Sequence, residues 1–194
     1  MRIDISPASL ESLTELSTIP ISFEVRTFFR VRVVKGGLGG ITLKEEPVER
    51  PYVKDCDARD GEGPTRWLSR FDTANWKVLL TKRGKRATGG AVLVMASPDV
   101  DMLKRRHDLA VLWDLRVRPE FRGKGVGTAL YERAAQLAKE NGCTQMSVET
   151  QNVNVPACKF YRKRGCTLGE ISRFQYAMHD FQQDEVMLVW YLDL

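Results

Sequence analysis

A chain of 194 residues that is 43% hydrophobic and 28% charged is long enough for one substantial core, short for two independent domains and too apolar for general disorder. Its 30 Lys plus Arg against 25 Asp plus Glu give a net charge of +5, which favours an anionic ligand without naming one. No apolar run reaches membrane-spanning length, Met1–Leu10 lacks a secretory pattern, and Cys56, Cys143, Cys158 and Cys166 have no paired metal-ligand spacing; the expectation is a cytoplasmic single domain over 1–194 with reduced thiols, no metal and no membrane partner.

The opening residues carry little pattern until Ile21–Val34, ISFEVRTFFRVRVV, whose β-branched and aromatic residues alternate best over Phe29–Val33 and predict a half-buried strand. Gly36, Gly37, Gly39 and Gly40 predict a turn, without the lysine and hydroxyl of a Walker loop, ahead of a short strand at Ile41–Leu43. Pro47, Pro51, Gly61, Gly63 and Pro64 interrupt regular structure, so 45–70 reads as an irregular substrate-side insertion. Within it Asp55, Asp57, Asp60 and Glu62 form either an acidic patch suited to a cationic substrate or a solvated loop.

Strands at Trp76–Leu80 and Gly89–Met95 flank a charged turn at Lys82–Arg86. Ala110–Val117 predicts a core strand whose alternation sets Val111, Trp113, Leu115 and Val117 on one face and Leu112, Asp114 and Arg116 on the other. After a basic loop, Val126, Leu130, Ala134, Leu137 and Ala138 recur at helical spacing until Asn141–Gly142. Thr144–Thr150 predicts a strand, Pro156 opens a short helix through Ala157, Phe160 and Tyr161 that ends at Gly165, and Val186–Leu192 predicts a last strand. Together these elements make an α/β fold, a mixed sheet with covering helices.

The most informative junction is Val111–Gly142, where a strand enters a loop carrying Arg122, Gly123, Lys124, Gly125, Val126, Gly127 and Thr128 and an amphipathic helix leaves it. Glycines permit close approach, and a helix start presents unsatisfied N–H groups in a field that favours negative charge, so the junction predicts either an anion site or a tight structural turn. It is neither GxxxxGK[ST] nor a full GxGxxG with its acidic ribose signal, which argues against magnesium-nucleotide hydrolysis and against a dinucleotide fold. The basic stretch Arg116–Lys124 has no aromatic-interleaved RNA motif and no paired-helix DNA reader, so nucleic acid is not expected as a partner.

RGKGVG at Arg122–Gly127 resembles the R/Q-x-x-G-x-G/A segment of the GNAT superfamily of N-acetyltransferases, and ETQNVNVPACKFYRKRGC at Glu149–Cys166 resembles that superfamily's second strand-to-helix region. The resemblance implies a largely antiparallel acyl-CoA N-acetyltransferase fold and acetyl-CoA as co-substrate. It implies pyrophosphate held by the backbone of Arg122–Thr128, the pantetheine arm flanked by Leu115 and Val117, Asn154 on the cofactor side of the second break, and Tyr161 as the acid that protonates the departing thiolate. Leu43–Asp55, Glu149–Tyr161 and Val189–Leu192 resemble, more particularly, streptothricin acetyltransferases, which acetylate the β-lysine amine of that antibiotic. That family usually carries two adjacent acids where this chain has Trp113–Asp114. The resemblance makes a small amine the expected partner, and a monomer or homodimer the expected state.

Attack of an amine on a thioester needs a base for the amine's excess proton and an acid for the leaving sulfur, with direct transfer in a ternary complex the simplest route. Asp114 and Glu149 are the two candidates for the base or amine anchor, with Trp113 as an aromatic wall beside the acceptor. Cys158 and Cys166 have no identifiable activating base, His107 and His179 no metal or catalytic spacing, and Arg162, Lys163 and Arg164 read as a solvated helix edge.

Overall fold

The computed structural model describes residues 3–58, 63–177 and 185–194. In chain order its elements are β1 (Ile5–Ala8), α1 (Leu13–Ser17), β2 (Phe23–Val33), β3 (Ile41–Lys54), α2 (Pro64–Arg70), β4 (Lys77–Arg83), β5 (Arg86–Val94), β6 (Leu109–Val117), α3 (Val126–Glu140), β7 (Gln145–Gln151), α4 (Val155–Lys163), β8 (Thr167–Ser172) and β9 (Met187–Asp193). They fall into two units, one of Met1–Ser22, Asp55–Val148 and Asp193–Leu194, the other of Phe23–Lys54 and Glu149–Leu192.

In the first unit the sheet runs β1, β4, β5, β6, β7, antiparallel except where β7 joins β6 in parallel. The chain of β7 passes into the second unit at Glu149, where the order is β7, β9, β8, with β8 and β9 antiparallel. The second unit also holds the antiparallel ribbon of β2 and β3. This mixed, largely antiparallel sheet with flanking helices is the α/β architecture expected from the alternation of strand and helix periods.

The central strands of the first unit are buried on both faces, so they read as near-continuous apolar runs rather than as alternating ones. On one face Val78, Leu80 and Val92 join Leu13, Leu16, Ile19, Trp67 and Trp76 in one cluster. On the other, α3 lies so close that a Cβ at Gly89 would stand 2.9 Å from Val126 Cγ1 and 3.0 Å from Leu130 Cδ1. Gly90 does the same work opposite, where a Cβ would stand 2.5 Å from Leu16 Cδ1, 2.7 Å from Leu80 Cδ2 and 3.0 Å from the Leu79 carbonyl. Gly90→Ala is therefore expected to destabilise the protein by about 1–3 kcal/mol, the ordinary cost of overpacking a core. Denaturant unfolding would show it, and an unchanged midpoint would mean that α1 is not seated as described.

The segment 45–70, expected to be irregular, is a strand through Lys54 and then a helix, Pro64–Arg70. The prolines are tolerated because, among the described residues, β3 pairs on one side only, with β2, and because the register slips between Val25 opposite Tyr52 and Thr27 opposite Pro47, which places Pro51 in the bulge. Pro64 then serves as a helix starter rather than a breaker. The strands β1 and β8 and the helix α1 had no sequence signal: ISPA and TLGEIS carry no apolar alternation, and α1, at 5 residues, is too short for a helical period to be counted. No helix among the described residues is long and apolar enough to cross a membrane.

Candidate active site

The loop between β6 and α3 turns on two glycines in the left-handed region, Gly123 at φ 71° and Gly125 at φ 87°. Gly125 is the N-cap of α3 and no side chain caps that end; the first helical bond is from Ala129 N to Gly125 O, at 3.0 Å. A helix start closed in this way presents first-turn amides to an anion.

Gly127, in that first turn, is informative because the fold does not require it. A Cβ there would meet nothing nearer than Val117 Cγ2 at 3.6 Å, an ordinary contact. Glycine inside a helix costs about 0.5–1 kcal/mol relative to alanine, so its presence without a packing reason fits a backbone that must be approached closely by a ligand. Among the loop residues it is therefore the backbone that is open to an anion. The exposed Arg122 folds its side chain back onto the main chain: Nε donates to Val117 O at 2.9 Å, and Nη2 to Ser22 O at 3.0 Å and Pro20 O at 3.3 Å. Burial lowers the pKa of this guanidinium from its ordinary value. Lys124 Nζ lies 5.8 Å from the centre of the Phe121 ring. Thr128 occupies the third position of the helix beside Gly127.

The strand entering the loop departs from simple alternation. β6 pairs with β7 only over Leu109–Val111 against Gln145–Ser147, so from Leu112 onward its β7-side edge has no strand partner in that pairing. Leu115 and Val117 stand on this stretch, half-buried, although the Val117 carbonyl is already taken by Arg122. Opposite β5, Leu93 pairs with Leu112 and Val92 with Asp114, which leaves Trp113 as the extra residue of a bulge. The bulge corrects the predicted facing. Trp113 packs against the cluster of Leu13, Leu16 and Ile19, and Arg116, expected on the opposite face, bonds the carbonyl of Ile19.

Trp113 makes ring contacts with Phe71 at 5.3 Å, Trp76 at 5.4 Å and Trp67 at 6.2 Å, and so closes an aromatic cluster. Asp114, 5% exposed, gives both carboxylate oxygens to Arg116: Nε to Oδ1 at 2.8 Å and Nη2 to Oδ2 at 2.6 Å. Arg116, 2% exposed, also donates to Asp57 Oδ2 at 2.6 Å and to the Ile19 carbonyl at 3.1 Å. Burial opposes its charge, but Asp114 and Asp57 outweigh burial and hold the guanidinium above its ordinary range. Asp57 is thus committed to Arg116, which subtracts it from the proposed acidic patch, while Asp60 and Glu62 lie outside the described residues, as does His179.

The second unit carries its own polar cluster around Glu149. The hydroxyl of Tyr176, 8% exposed, donates to Glu149 Oε1, and Gln151 Nε2 reaches the same oxygen at 3.4 Å. Burial pushes the pKa of Glu149 above the usual carboxylate range, against the opposing pull of these hydrogen bonds and of Lys54. Lys54 and Glu185 form a nearby buried ion pair, their side chains 9% and 11% exposed. Asn152 ties three segments together. Its amide N–H donates to Val186 O at 2.9 Å and its carbonyl accepts from Phe29 N at 2.9 Å, while its side chain accepts from Val186 N at 2.9 Å and donates to Phe29 O at 3.0 Å. Asn154 caps α4, accepting from Ala157 N at 3.3 Å. Tyr161 is 6% exposed on that helix, its ring 5.2 Å from that of Phe160. Burial raises the Cys158 thiol to about 11, so it stays protonated at neutral pH and is a packing residue.

Tyr176, Lys54, Glu185 and Asn152 were not singled out in the sequence. Lys54 and Asn152 lie inside two of the three blocks of family resemblance, but nothing in their spacing links positions 131 and 27 residues apart, as the Lys54–Glu185 and Tyr176–Glu149 pairs are.

The Acetyltransferase (GNAT) family model matches residues 43–166. The chain is 28% identical over 193 residues to the streptothricin acetyltransferase of Escherichia coli, covering 98% of this chain and 95% of that protein. It is 37% identical over 82 residues to streptothricin acetyltransferase A of Bacillus subtilis (strain 168), a match over 42% of this chain that spans about half, 47%, of that relative. Among solved structures, a proposed streptothricin acetyltransferase of Bacillus anthracis str. Ames in complex with acetyl coenzyme A superposes with a TM-score of 0.76 at 27% identity, over 100% of this chain and 98% of that one.

Proposed function

Because the chain belongs to the acetyltransferase (GNAT) family, we propose that it transfers the acetyl group of acetyl-CoA to a primary amine, and that the β-lysine amine of a streptothricin antibiotic is its substrate. The observation that carries the donor side is the start of α3, without a side-chain cap and with a glycine at 127 that packing does not demand. Backbone amides of Val126 to Thr128 hold the pyrophosphate, and the edge of β6 around Leu115 receives the arm. Arg122 shapes the loop by tying it to the carbonyls of Val117, Pro20 and Ser22. Acetyl-CoA supplies the acetyl group as a thioester.

On the acceptor side, Glu149 is the better base of the two carboxylates. Both oxygens of Asp114 are engaged by a buried guanidinium, whereas Glu149 is raised toward neutral pH and keeps an oxygen without a described partner. The amine nitrogen forms its bond to the acetyl carbon as the carbon–sulfur bond breaks. The proton lost by nitrogen goes to Glu149, and Tyr161 gives its phenolic proton to the sulfur. No acyl-enzyme is needed. Asp114 is assigned to holding Arg116, and Trp113 to filling the aromatic cluster behind the bulge.

The streptothricin assignment draws on the relatives' activities and on the near-complete alignment with the Escherichia coli protein. The test is to incubate the protein with acetyl-CoA and, separately, streptothricin, lysine-like amines and polyamines, and to identify acylated products by mass spectrometry. Acetyl-streptothricin as the dominant product is the expected result. Turnover only with another amine would replace the substrate and keep the mechanism; binding of acetyl-CoA with no product across the panel would make this a CoA-binding protein without catalysis.

A further inference from the structure

The carboxylate of Glu149 is held unevenly. Oε1 accepts from the Tyr176 hydroxyl and from Gln151 Nε2, while Oε2 accepts from no group among the described residues. Gln151 Nε2 also lies 3.4 Å from the Tyr176 oxygen. An amide NH₂ can only donate, so it occupies a lone pair of that oxygen and leaves the phenolic hydrogen to point at Glu149. The hydrogen's direction is thereby set by two neighbours.

The charges around this trio reinforce the arrangement. Burial, the charge of Glu149 and the hydrogen bond to it hold Tyr176 far above the usual phenol range, so at neutral pH it donates. Lys54, at the end of β3, is the cation that acts on Glu149, and it is paired with Glu185 through both of that residue's carboxylate oxygens. Glu185 in turn acts on Tyr176 and on Tyr52. With Lys54 committed to Glu185, Glu149 has no salt-bridge partner of its own among the described residues, which suits a base better than a buried counter-ion.

We propose that Tyr176 is the positioning residue of the proton acceptor: oriented by Gln151, it fixes Oε1 of Glu149 and leaves Oε2 as the atom that takes the amine's proton. This rests on reading Glu149 as the base. A hydrogen bond to the ionised carboxylate favours ionisation, so Tyr176→Phe must make Glu149 harder to deprotonate.

The measurement is a pH titration of the carboxyl carbons by NMR in protein labelled at glutamate Cδ, with the Glu149 signal assigned by its loss in Glu149→Gln. In Tyr176→Phe the Glu149 midpoint is expected to rise by about one pH unit, and kcat to fall roughly tenfold with KM for acetyl-CoA unchanged, a smaller loss than removal of the base itself. Gln151→Leu leaves the phenol in place but frees its hydrogen, and a smaller rise in the same direction is expected; it serves if Tyr176→Phe fails to fold. A midpoint that stays put or falls in the folded variants overturns the positioning role. Full activity in Glu149→Gln, by contrast, overturns the reading of Glu149 as the base and leaves the titration result standing as a structural contact.

Discussion

Glu149→Gln lowers kcat by about 10²–10⁴-fold, the range expected when a positioned general base is lost, and does so without loosening the fold. Gln keeps the volume and an oxygen that can accept from Tyr176, and it lacks the charge that burial penalises. The sign of the pH dependence follows from the upward shift of Glu149. Its folded pKa lies above the unfolded value, so the folded state holds the proton more tightly, and stability conferred by the protonated form is lost as pH rises from the ordinary carboxylate range through the raised one. The wild type should therefore lose stability across that window relative to Glu149→Gln, while its kcat/KM climbs across the same window as the base ionises. Thermal melts and initial rates at matched pH values check both. An equal fall in melting temperature and in rate would mark Glu149 as structural, and Asp114 would return as the candidate.

Arg116→Met is expected to destabilise the protein by about 3–5 kcal/mol, the cost of leaving a buried charge without its partner. Among the described residues the carboxylate of Asp114 takes its hydrogen bonds from this one guanidinium, and the same group holds the carbonyl of Ile19 and the carboxylate of Asp57, so one substitution unseats α1's exit and the segment after β3 together. The double variant Arg116→Met with Asp114→Leu should recover much of the loss, because replacing both members of a buried pair by apolar groups is often close to neutral. Denaturant midpoints of the two single variants and the double variant form the cycle that measures it. Additive losses would show that Asp114 and Arg116 do not act as a pair. A double variant that is stable but inactive would return a chemical role to Asp114.

The contrast between the two carboxylates shows where sequence reading stops. Asp114 and Glu149 stand on equivalent footing as letters: each is an acid on a strand that precedes a helix. What separates them is that Asp114 meets Arg116 two residues along the same regular stretch of β6, beyond the bulge, whereas Glu149 meets a tyrosine 27 residues away. The bulge at Trp113 also could not be read from alternation, since a single inserted residue reverses the facing of everything after it without altering the pattern of letters before it. Tyr176 and Lys54 were missed for a related reason: neither belongs to a periodic segment, and each acquires its role from a partner supplied by another element.

Local chemistry was legible where one stretch of chain decides the outcome. The glycine loop, the helix it opens and the stop at Asn141–Gly142 follow from conformational freedom, period and capping within some thirty residues, and the structure places α3 at Val126–Glu140 accordingly. The buried strands β4 to β6 were likewise legible, because their apolar runs must leave water whatever covers them. Only the folded chain could decide that the Arg122 side chain bonds backbone carbonyls, that Asp114 is paired and that one oxygen of Glu149 has no hydrogen-bond partner among the described residues. Those outcomes depend on which distant groups arrive within about 3 Å, the range over which a hydrogen bond is made or missed, and no spacing along the sequence sets that distance.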